Sequence, residues 1–173
     1  YPGGTLSDIK VGALGLVNVE NSIAAAAICL CHGVDGQKVR HAIGTYQGVK
    51  RRLEMHFNEN GHTYLDDYAH HPAELASAIT SIKGIFPGRR ITGIFQPHLY
   101  TRTRDFAGEF AQSLSLLDKA ILLDIYPARE EPIPGVTSEI IFKDITAPQK
   151  LLTGKENLMD ILKDEDIDIL VTF

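Results

Sequence analysis

The chain has 173 residues, 44% hydrophobic and 23% charged, a balance that excludes a disordered tail or a fibre and fits one globular unit or two short ones. Seventeen Lys and Arg against 22 Asp and Glu give a net charge of −5, which excludes a nucleic-acid coat or an anionic membrane surface as the main partner, so any anion site must be local. The longest apolar run, Ile23 to Cys31, is nine residues, where a bilayer span needs about 20.

In chain order, the first expected element is a helix over residues 18–32, with Asn18 near its cap, four consecutive alanines inside it and Gly33 as its stop. Cys29 and Cys31 fall on this helix two residues apart. That spacing fits no zinc site and points the two thiols in different directions, so both read as reduced packing residues. A second, short helix follows, capped by Asp35, with Val39, Ala42 and Ile43 as its apolar face and Gly44 closing it. From Leu53 the period drops to two: Leu53, Met55 and Phe57 alternate with polar residues, Asn60-Gly61 makes a turn, and His62 to Asp66 is extended again. This predicts a hairpin entering a new sheet.

A strand and helix alternation follows. Pro72 fits the first turn of a helix whose Leu75, Ile79 and Ile82 share one face and which ends near Gly84. Next come a strand over Ile91 to Phe95, a helix over Asp105 to Leu117, a strand over Ala120 to Ile125 and a helix over Ser138 to Ile145. A strand over Lys150 to Leu152, a helix over Asn157 to Lys163 and a strand over Ile167 to Val171 complete the series. The rhythm predicts an α/β class: a doubly wound, mostly parallel sheet with helices on both faces. The helical pair before residue 50 lies outside it, which puts a domain boundary near Gly48 to Arg52. The opening Tyr1-Pro2-Gly3-Gly4 has a loop composition without a cap, and Phe173 stops the chain at its last strand, so a fragment cut at both ends is expected. No basic, apolar leader opens it, and a cytoplasmic location is expected. The acidic stretch Glu156 to Asp168 reads as a solvated helix face.

Ligands of such sheets bind beyond the carboxyl ends of the strands, so the loops after Asp66, Phe95 and Ile125 are where chemistry is expected. The first, DDYAHHPAE from Asp66 to Glu74, sets two carboxylates, a phenol and two imidazoles before a proline-started helix. Its alternative is plain capping by Asp67 and His71. The second, QPHLYTRTRD from Gln96 to Asp105, carries Arg102 and Arg104 just before the expected helix, suited to bidentate capture of a carboxylate or phosphate. Its alternative is a solvated pair balanced by Asp105 and Glu109. His98 on this loop is expected to face the imidazoles of the previous one, because adjacent parallel strands end side by side. Lys50-Arg51-Arg52 is either a solvated face or a hinge that touches a ligand between domains. Asn18 and Asn21, three apart, either present two amides to an adenine edge or serve the helix cap. No stretch matches G-x-x-x-x-G-K-[ST], and Gly12 and Gly15 make no dinucleotide fingerprint, so this chain has no phosphate-cradling loop of its own.

Taken together, GLVNVENSIAAAA, QGVKRRLE, DDYAHHPAE, FQPHLYTRTRDF and YPAREEPIPG, in this order and over nearly the whole chain, closely resemble the Mur ligase family of peptidoglycan synthesis. The resemblance is to a carboxy-terminal fragment of the member that takes L-alanine. It implies that residues 1–48 end the central ATP-binding domain and that residues 49–173 are the Rossmann-like carboxy-terminal domain, truncated before its end. It implies an ATP-dependent, amide-forming ligase in which ATP makes an acyl phosphate on the carboxylate of UDP-N-acetylmuramate and the amine of L-alanine attacks it. ATP and Mg would serve the full-length enzyme, with neither held tightly by this fragment, which alone would be inactive. The family's metal ligands belong to the absent part, so no metal ligand is assigned. The implied partners are those small molecules and the missing amino-terminal and central domains of the same chain, with no nucleic acid and no membrane.

Residue by residue, Asn18 and Asn21 match asparagines that meet adenine, Arg52 the arginine before the next domain, and Asp67 the aspartate that reaches the nucleotide. Tyr68, His70, His98 and Arg102 match the amino-acid pocket. Of these, His70, His98 and Arg102 form the expected catalytic set: Arg102 holds the alanine carboxylate while an imidazole of ordinary pKa about 6.5 accepts the amine proton. Two positions depart from the family pattern, Val17 where many members have histidine and Leu99 where some have arginine. Three other readings stand beside this one. The related ligase that recycles murein tripeptide is disfavoured by HLYTRTR. The others are a metal-dependent hydrolase using Asp67, His70, His71 and His98, and a plain nucleotide-binding module.

Overall fold

The computed structural model describes Tyr1 and residues 4–173, which divide into two units, Tyr1–Glu54 and Met55–Phe173. Pro2 and Gly3 of the expected opening loop lie outside the described residues. Among the described residues, no helix is long and apolar enough to cross a membrane.

In the first unit, α1 (Leu16–Cys31) starts two residues earlier than expected, because Gly15, at φ 91°, turns the chain into the helix and is its N-cap. Asn18 is therefore inside the first turn, its Nδ2 donating to the Leu14 carbonyl. No residue of α1 is buried. Cys29 is half-buried and Cys31 exposed, so Cys31 is not the packing residue its helix position implied. Helix α2 (Gly36–Thr45) is capped as expected: the Asp35 carboxylate accepts from Gln37 N (3.0 Å) and Lys38 N (3.1 Å). Its expected apolar stripe is narrower, with Val39 buried and Ala42 exposed.

The second unit is built on six strands: β1 (Glu54–Glu59), β2 (His62–Asp66), β3 (Ile91–Phe95), β4 (Lys119–Leu123), β5 (Gln149–Thr153) and β6 (Ile169–Thr172), in the order β1-β2-β6-β3-β4-β5. Asn60 (φ 52°) and Gly61 (φ 83°) make the two-residue turn between β1 and β2. The pairs β2·β6, β6·β3, β3·β4 and β4·β5 are all parallel. As an edge strand, β1 leaves Met55 and Phe57 exposed.

Helices α3 (Pro72–Ile85), α4 (Tyr100–Asp105), α5 (Ala107–Leu114), α6 (Glu139–Phe142) and α7 (Leu158–Lys163), with a 3-10 turn at Lys155–Asn157, fill the crossovers. Neighbours along a strand face opposite sides, and β3 shows what each side carries. Gly93 lies under Leu117, three residues beyond α5, while Ile94 packs with Ile121 and Leu123 against Leu158 and Leu162 of α7. Helices thus cover both faces. The α3 stripe Leu75, Ile79 and Ile82 is fully buried, and Ser113 Oγ of α5 donates to the Pro72 carbonyl (2.9 Å) at the start of α3.

Two expectations fail here. The helix expected over Asp105 to Leu117 is the shorter α5, and a further helix, α4, occupies the expected loop ahead of it, the two meeting at Phe106. The acidic stretch is not merely solvated: Asp166 and Asp168 hold Arg90 at 2.9 and 3.2 Å, and Glu165 pairs with Lys119. Those contacts tie the start of β6 to the starts of β3 and β4.

Candidate functional site

Three loops leave the carboxyl ends of β2, β3 and β4 on the same edge of the sheet, but β6 stands between β2 and β3, so the first two loops do not leave adjacent strands as the sequence implied. After β2, Asp67 is buried, and its N–H donates to the Thr172 carbonyl (2.9 Å), continuing the β2·β6 ladder for one more residue. The capping role belongs to His71, whose Nδ1 accepts from Ala73 N at 3.4 Å. Glu74 folds back over the turn to accept from His70 N at 3.0 Å, a displaced form of the capping box. The His70 ring has its Nδ1 2.9 Å from the Tyr68 carbonyl and lies 5.1 Å, centroid to centroid, from the Tyr68 ring.

After β3, the chain is stitched to the loop after β4. His98 and Tyr126 form a parallel bridge with their rings stacked at 5.6 Å. Tyr126 N donates to the Pro97 carbonyl (2.8 Å) and Leu99 N to the Tyr126 carbonyl (3.0 Å). Leu99 takes φ 74°, a conformation costly for a side chain with a Cβ, and turns directly into α4. Arg102 and Arg104 therefore stand inside α4, not ahead of a helix as the sequence implied. Arg104 pairs with Asp105 at 2.8 Å, the solvated alternative. Arg102 does not take that course: its Nη1 is buried without a hydrogen-bond partner among the described residues.

Burial lowers the His98 pKa from its ordinary value, and the positive charges of Arg102 and then His70 lower it further, against an opposing pull from Glu130. His70 and Arg102 thus each lie within electrostatic reach of His98, whereas His71 packs edge-on against Phe106 at 5.0 Å. Chemically, the arrangement offers an unsatisfied guanidinium N–H for an anion within electrostatic reach of an imidazole whose pKa is lowered. The four residues of the metal-hydrolase alternative, Asp67, His70, His71 and His98, do not converge as a ligand set among the described residues. Sequence reasoning assigned no role to Glu130, which accepts from both N and Oγ1 of Thr101. The available signal was an acidic pair after one strand end facing an arginine pair after its neighbour.

In the first unit, Asn18 is half-buried and Asn21 exposed on one side of α1. Arg52 is exposed, with its N–H donating to the Val49 carbonyl at 3.2 Å.

Residues 51–168 match the family model described as "Mur ligase, glutamate ligase domain". The UDP-N-acetylmuramate--L-alanine ligase of Parabacteroides distasonis is 54% identical over 157 residues, 91% of this chain and 34% of that protein. The enzyme of the same name from Porphyromonas gingivalis is 48% identical over 99% of this chain and 38% of its own length. The chain therefore spans little more than a third of the curated relatives it matches. Among solved structures, the UDP-N-acetylmuramate-alanine ligase of Thermotoga maritima superposes with a TM-score of 0.79 at 24% identity, covering 99% of this chain and 37% of that one. The folylpolyglutamate synthase of the same organism gives 0.69 at 16% identity, over 98% of this chain and 38% of that one, a likeness of fold. On the match over residues 51–168 and these relatives, the chain belongs to the Mur ligase family and is a carboxy-terminal fragment of such a ligase.

Proposed function

We propose that the protein containing this chain joins L-alanine to UDP-N-acetylmuramate at the expense of ATP, in the cytoplasm, and that this part supplies the amino-acid pocket and some nucleotide contacts. Residues 1–48 would end the ATP-binding domain and residues 49–173 form the amino-acid domain. The relatives named for that reaction support the substrate assignment. The observation that carries it is the buried Arg102 Nη1, a charged donor with no acceptor among the described residues, within electrostatic reach of a His98 whose pKa is lowered. A guanidinium left in that state requires an anion, and the carboxylate of a small amino acid is one.

In this reading Arg102 fixes the alanine carboxylate while Tyr68 and His70 border the amine. The amine nitrogen forms a bond to the acyl carbon as the carbon–oxygen bond to phosphate breaks. His98, half-buried and with its pKa lowered by that burial and then by the Arg102 charge, takes the proton the amine loses. Asn18, Asn21, Arg52 and Asp67 are assigned to the nucleotide. ATP supplies the activating phosphate and Mg its charge neutralisation; the chain's own contribution is to hold the amine and carboxylate ready.

The experiment is Arg102→Ala in the full-length protein. Loss of one charge-assisted contact costs roughly 1.5–3 kcal/mol, so the KM for L-alanine should rise at least tenfold while that for ATP holds. A shifted ATP constant with a fixed alanine constant would remove Arg102 from the amino-acid pocket.

A further inference from the structure

Helix α4 has an unusual start. Its N-cap is Leu99, which has no side-chain acceptor, so the first N–H groups of the helix receive nothing from their own segment. The acceptor comes from elsewhere. Glu130, 29 residues further along, grips Thr101 with both carboxylate oxygens, one on the backbone N–H at 2.9 Å and the other on the hydroxyl. Glu130 is itself fixed in a turn, its N–H donating to the Pro127 carbonyl (2.9 Å) across Ala128, which takes φ 52°. From the other side of the helix, Thr103 Oγ1 donates to the Leu99 carbonyl at 2.8 Å. Arg102 lies between these two anchored threonines, and its Nη1 is buried without a hydrogen-bond partner among the described residues.

We infer that Glu130 is a positioning residue: by capping α4 from the loop after β4, it fixes the helix that aims the Arg102 guanidinium into the amino-acid pocket. The carboxylate hydrogen-bonds Thr101 and makes no hydrogen bond to Arg102, although the Arg102 charge is near enough to act on it. An acid that paired with Arg102 directly would compete with the substrate; one that holds the adjacent residue leaves the guanidinium available. The two Thr101 hydrogen bonds also hold the Glu130 carboxyl below its ordinary pKa. The same clamp offsets the left-handed backbone at Leu99, since a chain released at Thr101 would relax there first.

The inference rests on the amino-acid reading of Arg102, and the test separates the two. In the full-length protein, KM values for L-alanine, ATP and UDP-N-acetylmuramate are measured for Glu130→Ala, Glu130→Gln, Arg102→Ala and the double variant Arg102→Ala/Glu130→Ala. Glu130→Ala should raise the L-alanine constant about tenfold with the other two unchanged. Glu130→Gln, which keeps the shape and loses the charge, should raise the same constant by less, and it decides the matter if the alanine variant fails to fold. The double variant should be little worse than Arg102→Ala alone, because both act through one guanidinium. If Arg102→Ala raises the L-alanine constant and the Glu130 variants leave it fixed, or move all three constants together, the positioning role is overturned. If Arg102→Ala itself leaves the L-alanine constant unmoved, the amino-acid reading fails and takes this inference with it.

Discussion

A histidine that burial and a neighbouring guanidinium both push towards neutrality, as His98 is, accepts a proton only in more acidic solution than free imidazole does. The groups facing it are Arg102, His70 and Arg129, which lower its pKa, Glu130, which raises it, and the stacked Tyr126 ring. If His98 takes the amine proton, its neutral form is the active one, and the acidic limb of kcat/KM for L-alanine should lie below pH 6.5, its ordinary value. A profile of the full-length enzyme between about pH 5 and 8 reads this directly, and a limb above 6.5 would reject His98 as the acceptor. Stability follows the same sign. Below pH 6.5 the unfolded chain takes up a proton that folded His98 resists, so its contribution is complete above 6.5 and declines as pH falls through the folded pKa.

At the scale of elements, the close approach of the segment after α5 to the sheet depends on one missing side chain. A Cβ on Gly93 would lie 2.5 Å from Leu117 Cδ1 and 2.8 Å from Cδ2, and Leu117 is itself fully buried. Overpacking of this kind costs about 1–3 kcal/mol, against the 0.5–1 kcal/mol or so that alanine gains over glycine in chain entropy. Gly93→Ala should therefore lower stability by about 1 kcal/mol, seen as a lower denaturation midpoint at unchanged slope. An unchanged midpoint would mean that Leu117 rotates away freely. The strands over His62 to Asp66 and Ile91 to Phe95 were legible because their composition and flanking turns are local signals. Helix α4 was not. Tyr100 to Asp105 has no apolar period, and its start depends on Glu130 and on the Leu99 backbone, neither of which leaves a local trace. The same holds for Asp166 and Asp168, whose partner Arg90 is more than 70 residues away in sequence. His70, His98 and Arg102 were readable as strand-end residues, whereas Glu130 acts only through a contact between two loops.

For the molecule as a whole, folding and catalysis have different requirements. The unit Met55–Phe173 has a sheet covered on both faces, with Phe95, Phe110, Leu65 and Ile121 almost wholly removed from water. Its last strand, β6, sits between β2 and β3, so the sheet closes only when the segment ending at Phe173 is in place. That is enough apolar burial for a domain of this size to fold by itself. Catalysis needs more, because transfer of a phosphoryl group is carried almost entirely by positioning and charge around the γ-phosphate and Mg. This chain has no phosphate-cradling glycine loop, and the relatives that share its sequence are nearly three times as long. The 173-residue chain should therefore show a folded circular dichroism spectrum with a cooperative melt. It should release no phosphate above buffer when given ATP, Mg, UDP-N-acetylmuramate and L-alanine. Turnover from a folded, contaminant-free sample would mean that the residues present here assemble a phosphate site by themselves, and the division of labour between this part and the rest of the ligase would have to be redrawn.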